Sequence, residues 1–205
     1  HLSLRRQRQM CIRDRLNIAL AQKVGELSQY RSEFFGRLRA SLSGRSSVSI
    51  EGDRFVIQSG VLFGSGSAQL DPAGETQLND LAELLLDISA DIPDDIGWVL
   101  RIDGHTDTRP INTPQFPSNW ELSTARGSSV VRNIIDQGVD PTRLVAAGYA
   151  DWVPRGQTGN LTQKIDRSTV LELNDTPDKK GRNRRIEITF LKPAHHTTSY
   201  VGNDG

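Results

Sequence analysis

The chain has 205 residues, enough for one domain plus extensions, and its hydrophobic fraction of 36% is low for a chain that is all core. Lys+Arg and Asp+Glu are both 25, so the formal charge is zero. That balance argues against a general nucleic-acid binder, which needs a basic face to replace counterions.

The single cysteine, Cys11, excludes an intrachain disulfide framework. No run of 18 apolar residues and no signal peptide is visible. Starting at His1, with Met10 as its one methionine, the chain reads as a fragment. Residues 1–15 read as a non-native leader: Arg5 to Arg15 resembles the read-through of a sequencing adapter, the other reading being a basic arm.

Residues 16–46 read as a helical linker. Leu20, Val24, Leu27, Arg31, Phe34 and Leu38 step by four and three, which is a heptad seam. Two readings stay open. One is the end of a longer coiled coil, which would make a homodimer through this helix. The other is an amphipathic helix packed on its own domain. Ser41 to Ser49, rich in Ser and Gly, reads as a hinge.

From Ser47 to Phe63 the pattern is strand-like, with a turn signal at Gly52-Asp53. The small-residue loop Phe63 to Ala68 lacks a following Gly-Lys-Ser/Thr and is therefore not a P-loop. Asp71-Pro72 predicts a helix start, with Leu78, Leu81, Leu85 and Ile88 on its buried face. Trp98 to Ile102 predicts a strand that ends in the polar residues Gly104-His105-Thr106-Asp107.

Ser118 with Glu121 three residues on predicts a capping box and a second helix. That helix closes at Gly138 and cannot continue past Pro141. Leu144 to Tyr149 reads as a short buried strand, residues 151–181 as a polar insertion loop, and Arg185 to Leu191 as a last, cleanly alternating strand. Residues 192–205 read as a disordered tail. The expected fold class is α+β. It is a two-layer α/β sandwich of order β-α-β-α-β-(insertion)-β, with a mixed sheet and helices on one face, preceded by an N-terminal helix.

Four ordered pieces resemble the OmpA-like peptidoglycan-binding domain, with the wording of Ser118 to Ser123 nearest its MotB-like branch. They are Gly104-His105-Thr106-Asp107, Asn119 to Arg126, Arg143 to Tyr149 and Asn183 to Ile188. The similarity runs from about Phe55 to Leu191, so the domain is taken as 47–191. The family usually passes from its Gly-Tyr strand to its Asn-Arg-Arg strand through a shorter loop and a helix. Here Gln157 to Lys180 reads as longer and less helical, which puts that helix in doubt.

The resemblance implies binding of the diaminopimelate residue of the peptidoglycan stem peptide, whose free end carries an ammonium and a carboxylate on one carbon. Asp107 is then expected to accept from the ammonium and Arg126 to fork onto the carboxylate, which lysine does less well. Asn119, two helical turns before Arg126, lines the same groove. Thr106 offers its backbone or hydroxyl, and Arg184 braces Asp107 or the ligand. Taken without the family, an Asp–Arg pair between a strand end and a helix reads more readily as a structural salt bridge.

No cofactor is expected, and no metal, since His105 and Asp107 as potential ligands on a strand do not converge on one point; His105 is read as a structural or hydrogen-bonding residue, and Trp120 as packing. The resemblance implies peptidoglycan as partner, no nucleic acid, and a membrane tie through a segment upstream of this sequence. The expected function is a non-catalytic anchor: the periplasmic domain of a bacterial envelope protein, membrane-anchored at full length. The alternative is a stator or ion-channel-coupled protein. A wall-cutting enzyme is the least favoured class, since no nucleophile elbow and no His-Glu-x-x-His motif occur in the sequence.

Overall fold

The computed structural model describes residues 2–42, 48–52, 54–93, 97–156 and 165–191, with the side chains of residues 2–8, 27, 31, 34, 35, 38, 39, 41 and 42 outside that description. The elements run α1 (Leu2–Leu42), β1 (Val48–Glu51), β2 (Arg54–Gln58), α2 (Ser59–Leu62), α3 (Pro72–Ala90) and β3 (Val99–His105). They continue with α4 (Asn119–Asp136), β4 (Leu144–Gly148), α5 (Arg167–Glu172), α6 (Pro177–Asn183) and β5 (Arg185–Leu191).

The five strands form one open mixed sheet of order β1-β2-β5-β3-β4. β3 and β4 are parallel, joined by the α4 crossover, and the other pairings are antiparallel. Gly52 at φ 63 turns the β1–β2 hairpin, a conformation that costs a glycine nothing.

Alternation along the strands explains the two faces. Phe55 and Ile57, Leu100 and Ile102, and Ile186, Ile188 and Phe190 pack with Leu78, Leu81, Leu85 and Ile88 of α3 and with Val130 and Ile134 of α4 into one core. Their register is direct: Leu100 lies opposite Phe190, and Ile102 opposite Ile188. The other face carries charge. Arg101 Nε donates to both oxygens of Asp103 at 2.9 Å, Arg185 Nε donates to Glu187 at 2.6 Å, and Arg54 reaches Glu187 at 3.0 Å. Arg185 is fully buried, so it needs these partners and the carbonyl of Val153, which accepts at 3.0 Å.

Gly104 and Gly148 sit where the sheet meets α4. A Cβ on Gly104 would lie 2.0 Å from the Ser123 carbonyl oxygen, and one on Gly148 would lie 2.6 Å from the Thr124 nitrogen. The glycines therefore allow α4 to approach the ends of β3 and β4 closely, which brings Asn119 and Arg126 over Asp107.

Three expectations change. Val61 belongs to the helical turn α2 and not to a strand. Asp71 precedes α3 as expected, but its side chain makes no cap hydrogen bond. The stretch 151–181, read as an insertion loop, holds α5 and the start of α6. Asp166 caps α5 by accepting from Thr169 N, and Thr176 caps α6 by accepting from Lys179 N. Each helix is too short to show a period, and Val170 is the one buried residue of α5. Residues 157–164 of the same stretch, and the 192–205 tail, lie outside the described residues.

α1 runs from Leu2, through the stretch read as a leader, and its C-terminal part meets the domain. Tyr30 packs against the core, and Arg37 pairs with Asp87 at 2.7 Å and Asp91 at 2.5 Å on α3. Leu20 and Val24 of the heptad seam are exposed, while the side chains of Leu27, Arg31, Phe34 and Leu38 lie outside the description. No described helix is long and apolar enough to cross a membrane.

Candidate functional site

The strands β3 and β5 are antiparallel neighbours, so the C-terminal end of β3 and the N-terminal end of β5 share one edge of the sheet. Thr106 and Asp107 continue from β3, and Arg184 immediately precedes β5. The N-terminal half of α4 lies over the same edge, with the loop of residues 63–68 beside it. Between them is a cleft of about 600 Å³. It is lined by all five residues singled out from the sequence, Thr106, Asp107, Asn119, Arg126 and Arg184, and also by Arg109.

Asp107 is buried and held from two sides. Its Oδ2 accepts from Arg184 Nη1 at 2.5 Å and from Arg109 Nε at 3.0 Å, and its Oδ1 accepts from the Arg109 backbone nitrogen at 3.0 Å. Asn119 Nδ2 donates to the carbonyls of Asp107 at 3.2 Å and Arg109 at 3.0 Å, so it fixes the loop after β3 while lining the cleft. Thr106 donates its backbone N–H to Ala150 O at 2.8 Å. Its hydroxyl, like that of Ser59 in the same lining, is buried and has no hydrogen-bond partner.

Arg126 is also buried, yet it does not pair with Asp107. Its Nε donates to Ser67 O at 2.8 Å, its Nη2 donates to Gly64 O at 3.2 Å, and its guanidinium lies over the Phe63 ring, 5.2 Å from the centroid. Burial pushes its pKa down to about 10, and the nearby Arg184 charge pushes the same way, against a smaller opposite pull from Asp107.

Sequence reasoning missed three parts of this arrangement. Arg109 could have been found as the base two residues past Asp107, a spacing that lets the side chain fold back. The loop carbonyls of Gly64 and Ser67 carry no sequence signal, because any residue supplies a carbonyl. Asp71, read as a cap, stands at the N-cap position of α3 without a side-chain cap bond and also lines the cleft. The lining thus holds three arginines, 109, 126 and 184, and two aspartates, 71 and 107.

His105 stands apart from the cleft. Its ring stacks on Tyr149 with centroids 5.2 Å apart, and both ring nitrogens are buried without hydrogen-bond partners. Its role is that of a packed ring on the charged face. Burial first, and the Arg185 charge second, lower its pKa to about 3, so it is neutral at pH 7. Trp120, read as packing, is half-exposed on the first turn of α4.

Residues 62–167, which include Thr106, Asp107, Asn119 and Arg126, match the OmpA family. Among curated proteins, a 102-residue stretch is 37% identical to the uncharacterized protein YtxE of Bacillus subtilis (strain 168), covering 49% of this chain and 34% of that protein. A 96-residue stretch is 29% identical to motility protein B of Helicobacter pylori (strain J99), covering 47% of this chain and 31% of that one. The matches thus span about a third of these relatives (34% and 31%).

Among solved structures, a putative MotB-like protein from Desulfovibrio vulgaris superposes with a TM-score of 0.63 at 22% identity, over 84% of this chain and 97% of that one. The cell wall anchor of the T6SS from Pseudomonas aeruginosa superposes with a TM-score of 0.58 at 28% identity, over 77% and 96%.

Proposed function

The chain belongs to the OmpA family, and we propose that its domain binds peptidoglycan without catalysis, through the diaminopimelate of the stem peptide. In this reading it anchors a membrane-tethered protein to the cell wall from the periplasmic side. The observation that carries the reading is the cleft itself: an anion, Asp107, and a separate buried guanidinium, Arg126, line one opening. A group with an ammonium and a carboxylate on one carbon needs those two charges. The similarity to the cell wall anchor of the T6SS supports the anchoring role.

Asp107 accepts from the ligand's ammonium, exchanging an arginine contact for it. Arg126 takes the carboxylate, Thr106 and Ser59 offer free hydroxyls, and Arg184 and Asn119 keep the Asp107 loop in place. Nothing in this assignment asks for bond cleavage, which is why a binding module is preferred to an enzyme.

The test is sedimentation with purified peptidoglycan sacculi. The protein is expected to pellet with them and to be released by free meso-diaminopimelate. Protein left in the supernatant, or held equally well with the competitor present, overturns the reading. A second reading, a stator or ion-channel-coupled protein, is favoured by the similarity to motility protein B. It keeps the same wall contact and adds an upstream membrane helix with an intramembrane acid, so the full-length gene sequence separates the two.

A further inference from the structure

We infer that the cleft selects stem peptides whose diaminopimelate carries a free carboxylate at its amino-bearing end and rejects the form amidated there, with Arg126 as the specificity-determining residue. The inference rests on the peptidoglycan reading above and adds to it a choice between two chemical states of the wall.

The first observation is that Arg126 is a buried cation with no ion-pair partner of its own. It is 4% exposed, and among the described residues it makes no ion pair. Two neutral carbonyls hold Nε and Nη2, while Nη1 makes no hydrogen bond among the described residues. A guanidinium has five N–H donors, so Nη1 and the second hydrogen of Nη2 remain for a ligand.

The second observation is that Asp107 does not balance this charge. It is already engaged by Arg184 and Arg109, so two guanidinium groups share one carboxylate. With Asp71, the lining has two acids for three arginines. The pocket as built is one negative charge short, and the shortage is local to Arg126.

A carboxylate supplies that charge and two acceptor oxygens in the spacing of the fork. A carboxamide supplies one acceptor and turns an NH₂ donor toward a group that itself only donates. It also leaves the buried cation uncompensated, the more costly of the two failures. The depressed pKa of Arg126 is in keeping with a cation whose surroundings do not fully repay its burial.

The experiment is a pair of calorimetric titrations of the whole chain. One uses a disaccharide-tripeptide muropeptide with free meso-diaminopimelate, the other the same compound amidated at the amino-bearing end. The free form is expected to bind roughly ten- to a hundredfold more tightly, the scale of one charge-assisted hydrogen bond. Arg126→Gln is expected to weaken the free form and to bring the two affinities together. Equal affinity of the unmutated protein for both muropeptides overturns the selectivity and leaves the peptidoglycan reading standing. A preference for the amidated form overturns it likewise. Binding of neither overturns both.

Discussion

Arg184 Nη1 and Asp107 Oδ2 meet at 2.5 Å although 77 positions separate them in the chain. Their pairing fastens the loop after β3 to the start of β5. The acid assigned to the ligand's ammonium therefore also has a structural partner, and the two roles predict different measurements.

Asp107→Ala is expected to abolish sacculus binding and to lower stability by no more than about 1–2 kcal/mol. The stability loss is small because the Arg184 and Arg109 side chains are 36% and 63% exposed, so both can turn to water. Sedimentation and thermal melting of the same preparation check this. A steep fall in melting temperature with intact sacculus binding would make the pair purely structural.

Arg126→Lys keeps a positive charge and loses the fork. Binding is expected to weaken by roughly 1.5–3 kcal/mol, read from sacculus titrations. Lysine is also too simple a donor to hold Ser67 O and Gly64 O together, so amide exchange across residues 64–68 is expected to speed up. Unchanged exchange with lost binding would confine the role of Arg126 to the ligand.

Gly104→Ala drives a methyl into the Ser123 carbonyl at 2.0 Å, a contact with backbone that cannot rotate away. Overpacking of this kind costs typically 1–3 kcal/mol and sometimes more. Because α4 must move to make room, Asn119 and Arg126 move with it. Chemical denaturation is expected to show the loss of stability, and sacculus binding should fall as well, although Gly104 itself makes no ligand contact.

His105 sets an acid limb. Its folded pKa of about 3 lies below the ordinary 6.5, so between those values the unfolded chain holds the proton and the native one does not. Stability is thus full above pH 6.5 and falls as the pH drops toward 3, by about 2 kcal/mol between pH 7 and pH 5. Urea denaturation at the two pH values measures it. His105→Phe, which keeps a ring against Tyr149, is expected to remove most of that difference.

The core was legible in the sequence because it follows a period. Leu100 and Ile102 alternate, as do Ile186, Ile188 and Phe190, and Leu78, Leu81 and Leu85 return at helical steps. Thr106, Asp107, Asn119, Arg126 and Arg184 are singled out by the resemblance of the ordered motifs; four of them fall at or next to the ends of such elements, and Arg126 lies two turns inside α4. What could not be read was how those ends are connected. The partner of Arg126 is backbone, in a loop 59 positions away, and no side chain announces it. α5 and α6 owe their helicity to the caps Asp166 and Thr176 and to packing against the domain, not to a repeat. The electrostatic surroundings of His105 depend on Arg185 and Glu187, which only the pairing of β3 with β5 brings alongside.

α1 has 41 residues, which makes a rod about 60 Å long. Its described contacts with the rest of the molecule, at Tyr30 and Arg37, lie near one end. That geometry is a lever with its pivot off-centre. A tilt of roughly ten degrees at Arg37 carries the far tip about 9 Å, at about 1.5 Å of rod per residue. The joint combines a half-buried arginine gripping two exposed aspartates with the Tyr30 ring against the apolar core, so added salt weakens its ionic part and leaves its apolar part. The joint that sets the direction of this rod is thus remote from the cleft, so the orientation of the helix and the lining of the cleft are governed by separate parts of the chain.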